Sequence, residues 1–249
     1  MSLRYYKPLF HEKTLARAVR NYAFPADLDA RQAVIQKWIE TINSRTLEDV
    51  KEVSLHGEFL RDIFGTVLGY ASVIQGEGKT WTLHAEATIS DGGGSADGAL
   101  GFFTAKETLR GGVKLAGRVI APIELKGVRN DLDRPAPGRN ESAVDQGWRY
   151  VNYTPNCQWL IVSNYRELRL YRTSKTPAYY ERFLLTDLAD AETFRRFYFL
   201  LCAGNFLPVG EGPEAQSRIV LLLKESDGAE AAITRDLYAA STSLGPRRG

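Results

Sequence analysis

Cysteine is scarce: the 249 residues include only Cys157 and Cys202, both in apolar surroundings and without CxxC spacing. That excludes a disulfide scaffold and a thiolate zinc site, and predicts buried thiols in a reducing compartment. Histidine is nearly as scarce, and His11, His56 and His84 are scattered without metal-ligand spacing, which argues against a histidine-based metal centre. A dominant charge is missing as well: 32 basic against 30 acidic residues leave +2. Any nucleic-acid surface must therefore come from local clustering. Long apolar runs are absent. The richest, FYFLLCAGNFLPV from Phe197 to Val209, is broken by Gly204, Asn205 and Pro208 and falls short of the roughly 20 residues of a membrane span. The opening MSLRYYKPLFHEK has no apolar region of a secretory signal. These absences predict a soluble, cytoplasmic protein with no membrane partner.

What is present suits a folded α/β chain, since 44% apolar residues can bury a substantial core. Residues 1–50 read as a helical lead-in. Asp27 can cap a helix along which Val34, Trp38 and Ile42 recur at helical spacing, and Thr46 to Asp49 resembles a capping box for the next helix. From Leu55 to Tyr70, the stripe Leu55, Phe59, Ile63, Val67 predicts a helix that Gly69 can stop. Glu58 borders that stripe, either as a solvated glutamate or as a carboxylate aimed at a site beyond it.

A strand at Trp81–Ile89, a glycine turn at Gly92–Gly94 and a strand at Asp97–Thr104 form a predicted hairpin. The following KETLRGGVKLAGR holds Lys106, Arg110, Lys114 and Arg118 against the single acid Glu107. It reads equally as a phosphate-contacting loop and as a charged solvated one. VIAPIEL is apolar on both faces, as a central strand must be, and Pro122 within it calls for a bulge. Beyond RNDLDRPAPGRN come a helix in ESAVDQGWRYVNY, strands in CQWLIVSN and ELRLYR, and a helix capped by Asp190 that runs to about Cys202. Two further helical stretches, SRIVLLLKES and ITRDLYAAS, precede the frayed end STSLGPRRG. Arg166 and Arg172 sit among aromatic neighbours in NYRELRLYR, a pattern that suits solvated strand arginines or a nucleic-acid edge.

The chemistry converges on the stretch from Gly92 to Asp133. A divalent cation that hydrolyses phosphodiesters needs hard oxygen ligands. Asp97 and Glu124 can supply two carboxylates and Leu125 a backbone carbonyl, provided the strands are neighbours. Glu124 and Lys126, two apart, share one face of a strand, so the amine can orient the attacking water or stabilise the phosphate. Gln146 and Tyr150, four apart on a helix, share a face. They can contact phosphate or brace Lys126, or belong to a packed helix surface. Asp131 and Asp133 read as turn formers bracketing Arg129 and Arg134, not as metal ligands.

Taken in order, ADGALG, PIELKG, the run ELKGVRNDLDRP, the helix AVDQGWRYVN and NCQWLIVSNYRELRLYR resemble the PD-(D/E)XK nuclease superfamily. More narrowly, they are similar to the amino-terminal endonuclease domains of restriction-modification proteins that fuse cleavage with adenine methylation. The resemblance covers Glu52 to Pro208, with Ala96 where a proline is expected. It implies a restriction-endonuclease-like core: a mixed central β-sheet flanked by helices, with an N-terminal helical extension, a nuclease core over 51–210 and a C-terminal helical segment at 211–249 leading to a downstream region. It makes Asp97 and Glu124 the metal ligands with the Leu125 carbonyl, Lys126 the catalytic lysine, Gln146 and Tyr150 a supporting Q-x-x-x-Y feature, and Glu58 the accessory acid. Mg²⁺, with Mn²⁺ as a substitute, is the implied cofactor. Double-stranded DNA is the implied partner, contacted by Lys106, Arg110, Lys114 and Arg129. A methyltransferase or specificity region and dimerisation on DNA complete the expected set. A catalytically silent nuclease-like DNA-binding or assembly module is the alternative.

Overall fold

The computed structural model describes residues 6–50, 52–88, 94–107, 113–210 and 215–243. The Gly92–Gly93 turn and Arg110 lie outside them. Six strands form one mixed sheet in the order β1-β2-β3-β4-β5-β6: β1 (Thr80–Thr88), β2 (Ser95–Glu107), β3 (Val113–Leu125), β4 (Trp159–Ser163), β5 (Glu167–Arg172) and β6 (Tyr180–Leu184). Neighbours are antiparallel except β3 and β4, which are parallel over Ile123–Leu125 and Ile161–Ser163. A parallel pair requires a crossover, and helix α4 (Ala143–Asn152) provides it. Its start is secured by a reciprocal capping box between Ser142 and Asp145.

The stretch KETLRGGVKLAGR is mainly strand: its ends extend β2 and β3 into a long ribbon, and residues 108–112 lie outside the described set. The bulge that Pro122 called for lies close by. Leu100 faces Ala121 and Gly101 faces Val119, which leaves Ile120 as the extra residue. The carbonyl of Ile120 accepts from Gln158 N–H at 3.1 Å, so the interrupted ladder is continued towards β4.

The predicted helix over 55–70 is α3 (Glu52–Phe59), running on as a π-helix through Leu60–Val67. Leu68 N–H bonds Ile63 O at 3.0 Å, five residues back. The wider turn lets Leu60, Phe64 and Leu68 join Leu55, Phe59, Ile63 and Val67 in the core. Helices α1 (Glu12–Arg20) and α2 (Leu28–Asn43) precede it. At the start of α2, Asp27 spends its carboxylate on Arg31 (3.0 Å) and makes no side-chain cap. Thr46–Glu48 forms a 3-10 turn well ahead of α3 and caps nothing there. The two helical stretches foreseen near the carboxyl end form one helix, α7 (Arg218–Ser243), after α5 (Ala191–Leu201) and the short α6 (Ala203–Phe206). Asp190 caps α5, accepting from Thr193 N–H at 2.8 Å.

One buried cluster takes in Leu9, Phe10 and Ile35 from the lead-in, Phe59, Ile123 and Ile161 from the centre, and Ile219 and Leu223 from α7. Glu181 on β6 stitches the ends together. It is buried, and its carboxylate accepts from Leu9 N–H (2.8 Å), Phe10 N–H (3.1 Å) and Arg196 (3.1 Å). Among the described residues no helix is long and apolar enough to cross a membrane, and the two cysteines are free thiols, Cys202 buried and Cys157 half-buried.

Two glycines separate necessity from tolerance. A Cβ on Gly101 would stand 2.1 Å from the Arg118 carbonyl oxygen, whereas one on Gly57 meets nothing within 4 Å. Gly101→Ala is expected to destabilise by about 2 kcal/mol, as overpacked sites do. Gly57→Ala in the helix is expected to stabilise by about 0.5–1 kcal/mol. Urea denaturation of both variants checks the pair.

Candidate active site

The β2–β3 register decides the site. Gly98 pairs with Ile123, so Asp97, one step along the antiparallel ladder, stands across from Glu124. Asp97 Oδ2 accepts from Leu125 N–H at 2.7 Å, locking its carboxylate against β3. The residue after Asp97 packs closely: a Cβ on Gly98 would stand 3.0 Å from Leu60 Cδ2 of the π-helix. Asp-Gly thus places an acid beside a contact point between sheet and helix.

Glu124 is fully buried, with its side chain 1% exposed. Its neighbour on β4 is Val162, which packs with Val144 and Leu160 beneath α4. The Lys126 ammonium forms an ion pair with Glu124 Oε1, and the Tyr150 hydroxyl lies close enough to favour the charged carboxylate, yet neither oxygen accepts a hydrogen bond of ordinary geometry. Burial above all, and then the negative charge of Asp97, push the Glu124 pKa up to about 7; Lys126 and Tyr150 oppose the rise. On α4, Gln146 donates to the Tyr150 hydroxyl at 2.5 Å. Burial and Glu124 hold that phenol well above its ordinary pKa, so it stays protonated. Asp97, Glu124, Lys126, Gln146 and Tyr150 are therefore gathered by two strands and the crossover helix.

Glu58 is not gathered with them. It is exposed, and the charge it influences is Arg61. His56 is the residue of α3 that faces the site, its Nδ1 3.5 Å from Asp97 Oδ1. Two residues along a helix turn through about 200°, so His56 and Glu58 cannot both face the sheet. The apolar stripe through Leu55 and Phe59 did not say which of the two would.

The basic residues fall into different settings. Lys106 is exposed on β2, and Lys114 pairs with it on β3, its side chain outside the described part. Arg129 and Arg166 are both tied to Glu48, at 3.4 and 2.7 Å. Arg172, at the end of the inner strand β5, packs 4.7 Å from the ring of Trp159 on β4, which removes the open nucleic-acid edge as a reading of NYRELRLYR. Asp131 does bracket Arg134 (3.6 Å), but Asp133 receives two hydrogen bonds from buried Arg169, each 3.0 Å. A groove of about 580 Å³ between α1 and α5 is lined by none of the site residues.

Among the described residues no group of three or more His, Cys, Asp and Glu side chains assembles as a metal site. Two carboxylates do face each other, and the buried one is approached by the Lys126 ammonium and the Tyr150 hydroxyl. That donor set suits Mg²⁺, which is commonly held by one or two carboxylates while keeping several waters. No family model, no curated protein and no solved structure matches the chain.

The raised Glu124 pKa has a definite sign for stability. The folded state keeps this proton up to about pH 7, whereas the unfolded chain releases it near the ordinary glutamate value of 4.5. Stability therefore falls as pH rises across that window, the cost being complete above pH 7. Without divalent metal, Glu124→Gln should gain on wild type by up to about 3 kcal/mol between pH 4.5 and 8. Parallel stability–pH curves for the two proteins would refute the assignment.

Proposed function

We propose that this chain is a Mg²⁺-dependent DNA endonuclease with a restriction-endonuclease-like core, acting as the cleavage domain of a restriction-modification enzyme. The observation that supports it best is the convergence of Asp97 and Glu124, 124 − 97 = 27 positions apart in sequence, on facing positions of two strands beside Lys126. A purely structural strand pair gains nothing by burying one carboxylate against another, since their repulsion opposes folding. A divalent cation would turn that repulsion into attraction.

In this reading Asp97 and Glu124 hold Mg²⁺ (or Mn²⁺), with the Leu125 backbone carbonyl as a third ligand. The bound ion supplies a water of lowered pKa and neutralises charge on the scissile phosphate. Lys126, carried on the same strand face as Glu124, turns its ammonium from the carboxylate to the phosphate and steadies the attacking water. Tyr150, protonated and bonded to Gln146, donates towards Glu124 and keeps that side chain oriented. Sequence recognition would come from a methyltransferase or specificity region, and cutting both strands would require two copies meeting on DNA.

Plasmid DNA with Mg²⁺ or Mn²⁺ tests the proposal. Asp97→Ala and Lys126→Ala should each lower the cleavage rate by at least about 100-fold, the effect typical of removing an electrostatic or acid–base group. Cleavage that survives both substitutions would dismiss the site. A wild type that binds DNA but never cuts it would favour the silent module, a reading to which the tight Lys126–Glu124 ion pair lends itself. Because Glu124 must lose its proton to take a cation, Mg²⁺ affinity should rise with pH up to about 7 and then level off. Calorimetry in buffers of different ionisation enthalpy would register the released proton.

A further inference from the structure

The candidate site accounts for one cation, Lys126, yet a DNA strand brings a charged phosphate with every nucleotide. A second cation borders the same site. On α4 the Tyr150 ring is buried, and both Glu124 and Asp97 act on its hydroxyl. Arg149 precedes it by one position, about 100° round the helix, and stands at the rim with its side chain 35% exposed. Its guanidinium lies 5.4 Å from the centre of the Tyr150 ring. The same group meets the approach to β2. Gly94, three residues before Asp97, sits at φ +84°, and a Cβ there would lie 3.5 Å from Arg149 Nη1 and 3.8 Å from Tyr150 Cε1.

Three residues of extended chain span about 10 Å. Phosphates of one DNA strand follow each other at about 3.4 Å along the duplex axis. The guanidinium therefore stands within about three phosphates of the carboxylates. Two local roles already explain an arginine here. Its Nε donates to Glu141 at 3.2 Å, and it lies in the last turn of α4, where a cation meets the helix dipole favourably. Neither role needs the guanidinium to lie against the Tyr150 ring. The Glu141 carboxylate is 46% exposed, and a pair so open to water contributes little. A planar guanidinium can exchange such a carboxylate for a phosphate, whose oxygens it matches equally well.

We propose that Arg149 is a DNA-phosphate contact beside the scissile position, and that Glu141 holds its guanidinium until the DNA backbone displaces it. The contact rests on the nuclease reading, which supplies the ligand. It is independent of base sequence, since phosphate contacts position a duplex without reading it.

The test is fluorescence anisotropy of a labelled duplex with Ca²⁺ in place of Mg²⁺, over a series of salt concentrations. Arg149→Ala should weaken binding about tenfold, the scale of a lost charge-assisted hydrogen bond, and lower the salt slope by about one. Arg149→Lys should keep the slope, which separates a lost charge from a damaged helix. Glu141→Gln should tighten binding severalfold by releasing the guanidinium, and the gain should vanish in the Arg149→Ala background. A purely structural ion pair predicts instead that losing either partner acts alike. Equal affinities for wild type and Arg149→Ala would overturn the proposal. So would a slope lost on Arg149→Lys, no gain on Glu141→Gln, a gain that persists without Arg149, or no DNA binding by wild type. The nuclease reading fails separately. If binding depends on Arg149 but no metal supports cleavage, the phosphate contact stands and the catalytic assignment falls.

Discussion

The hydrogen bond from Leu125 N–H to Asp97 is the constraint on which the site depends. It closes the β2–β3 ladder with a side chain instead of a backbone carbonyl, and it ties a carboxylate to the strand that carries Glu124 and Lys126. A slip of one residue in this pairing would send Asp97 to the opposite face. Register is therefore as much a part of the site as any side chain. It is held by the bulge at Ile120, whose carbonyl is taken by Gln158 N–H, and by Gly98, which admits Leu60 of the π-helix beside Asp97.

The surrounding fold has to offset an unfavourable charge. Glu124 is buried between β3, β4 and α4 and repelled by Asp97, so the centre of the sheet is less stable than an apolar one would be above neutral pH. The counterweight is distributed. Trp38, Phe59 and Tyr165 pack ring against ring, Glu181 binds the lead-in to β6 and α5, and α7 adds Ile219 and Leu223 to the same core. Stretches that look like lead-in, centre and appendage along the chain share one interior. The electrostatic penalty is thus confined to one point of a well-packed frame.

Much of this was legible along the chain because it is periodic or local. Leu55, Phe59, Ile63 and Val67 marked a helix, Asp190 its cap on α5, and Glu124-Leu125-Lys126 the end of a buried strand with two polar side chains on one face. The misreadings have specific causes. KETLRGGVKLAGR was read as a loop, yet its ends at 106–107 and 113–118 pair as strands. Thr46 and Asp49 carry the letters of a capping box without a helix to cap. Glu58 was the accessory acid that the resemblance implied, but it is exposed, and His56 is the residue turned inward. Leu60 and Phe64 join the core through the π-turn that follows, which spacing within the helix does not encode.

Alternation, spacing and residue chemistry were enough to establish an α/β chain with no membrane-spanning helix among its described residues, the strand bearing Glu124 and Lys126, and the amide and phenol of α4, since each depends on neighbours a few positions away. The meeting of Asp97 with Glu124, the burial that lifts one of them towards neutrality, the choice of His56 and the placing of Arg149 against Gly94 were decided only when distant segments packed. Contacts between residues far apart in the chain depend on register and on the angle of each helix against the sheet. Those are fixed by the fit of many side chains at once, not by any one stretch.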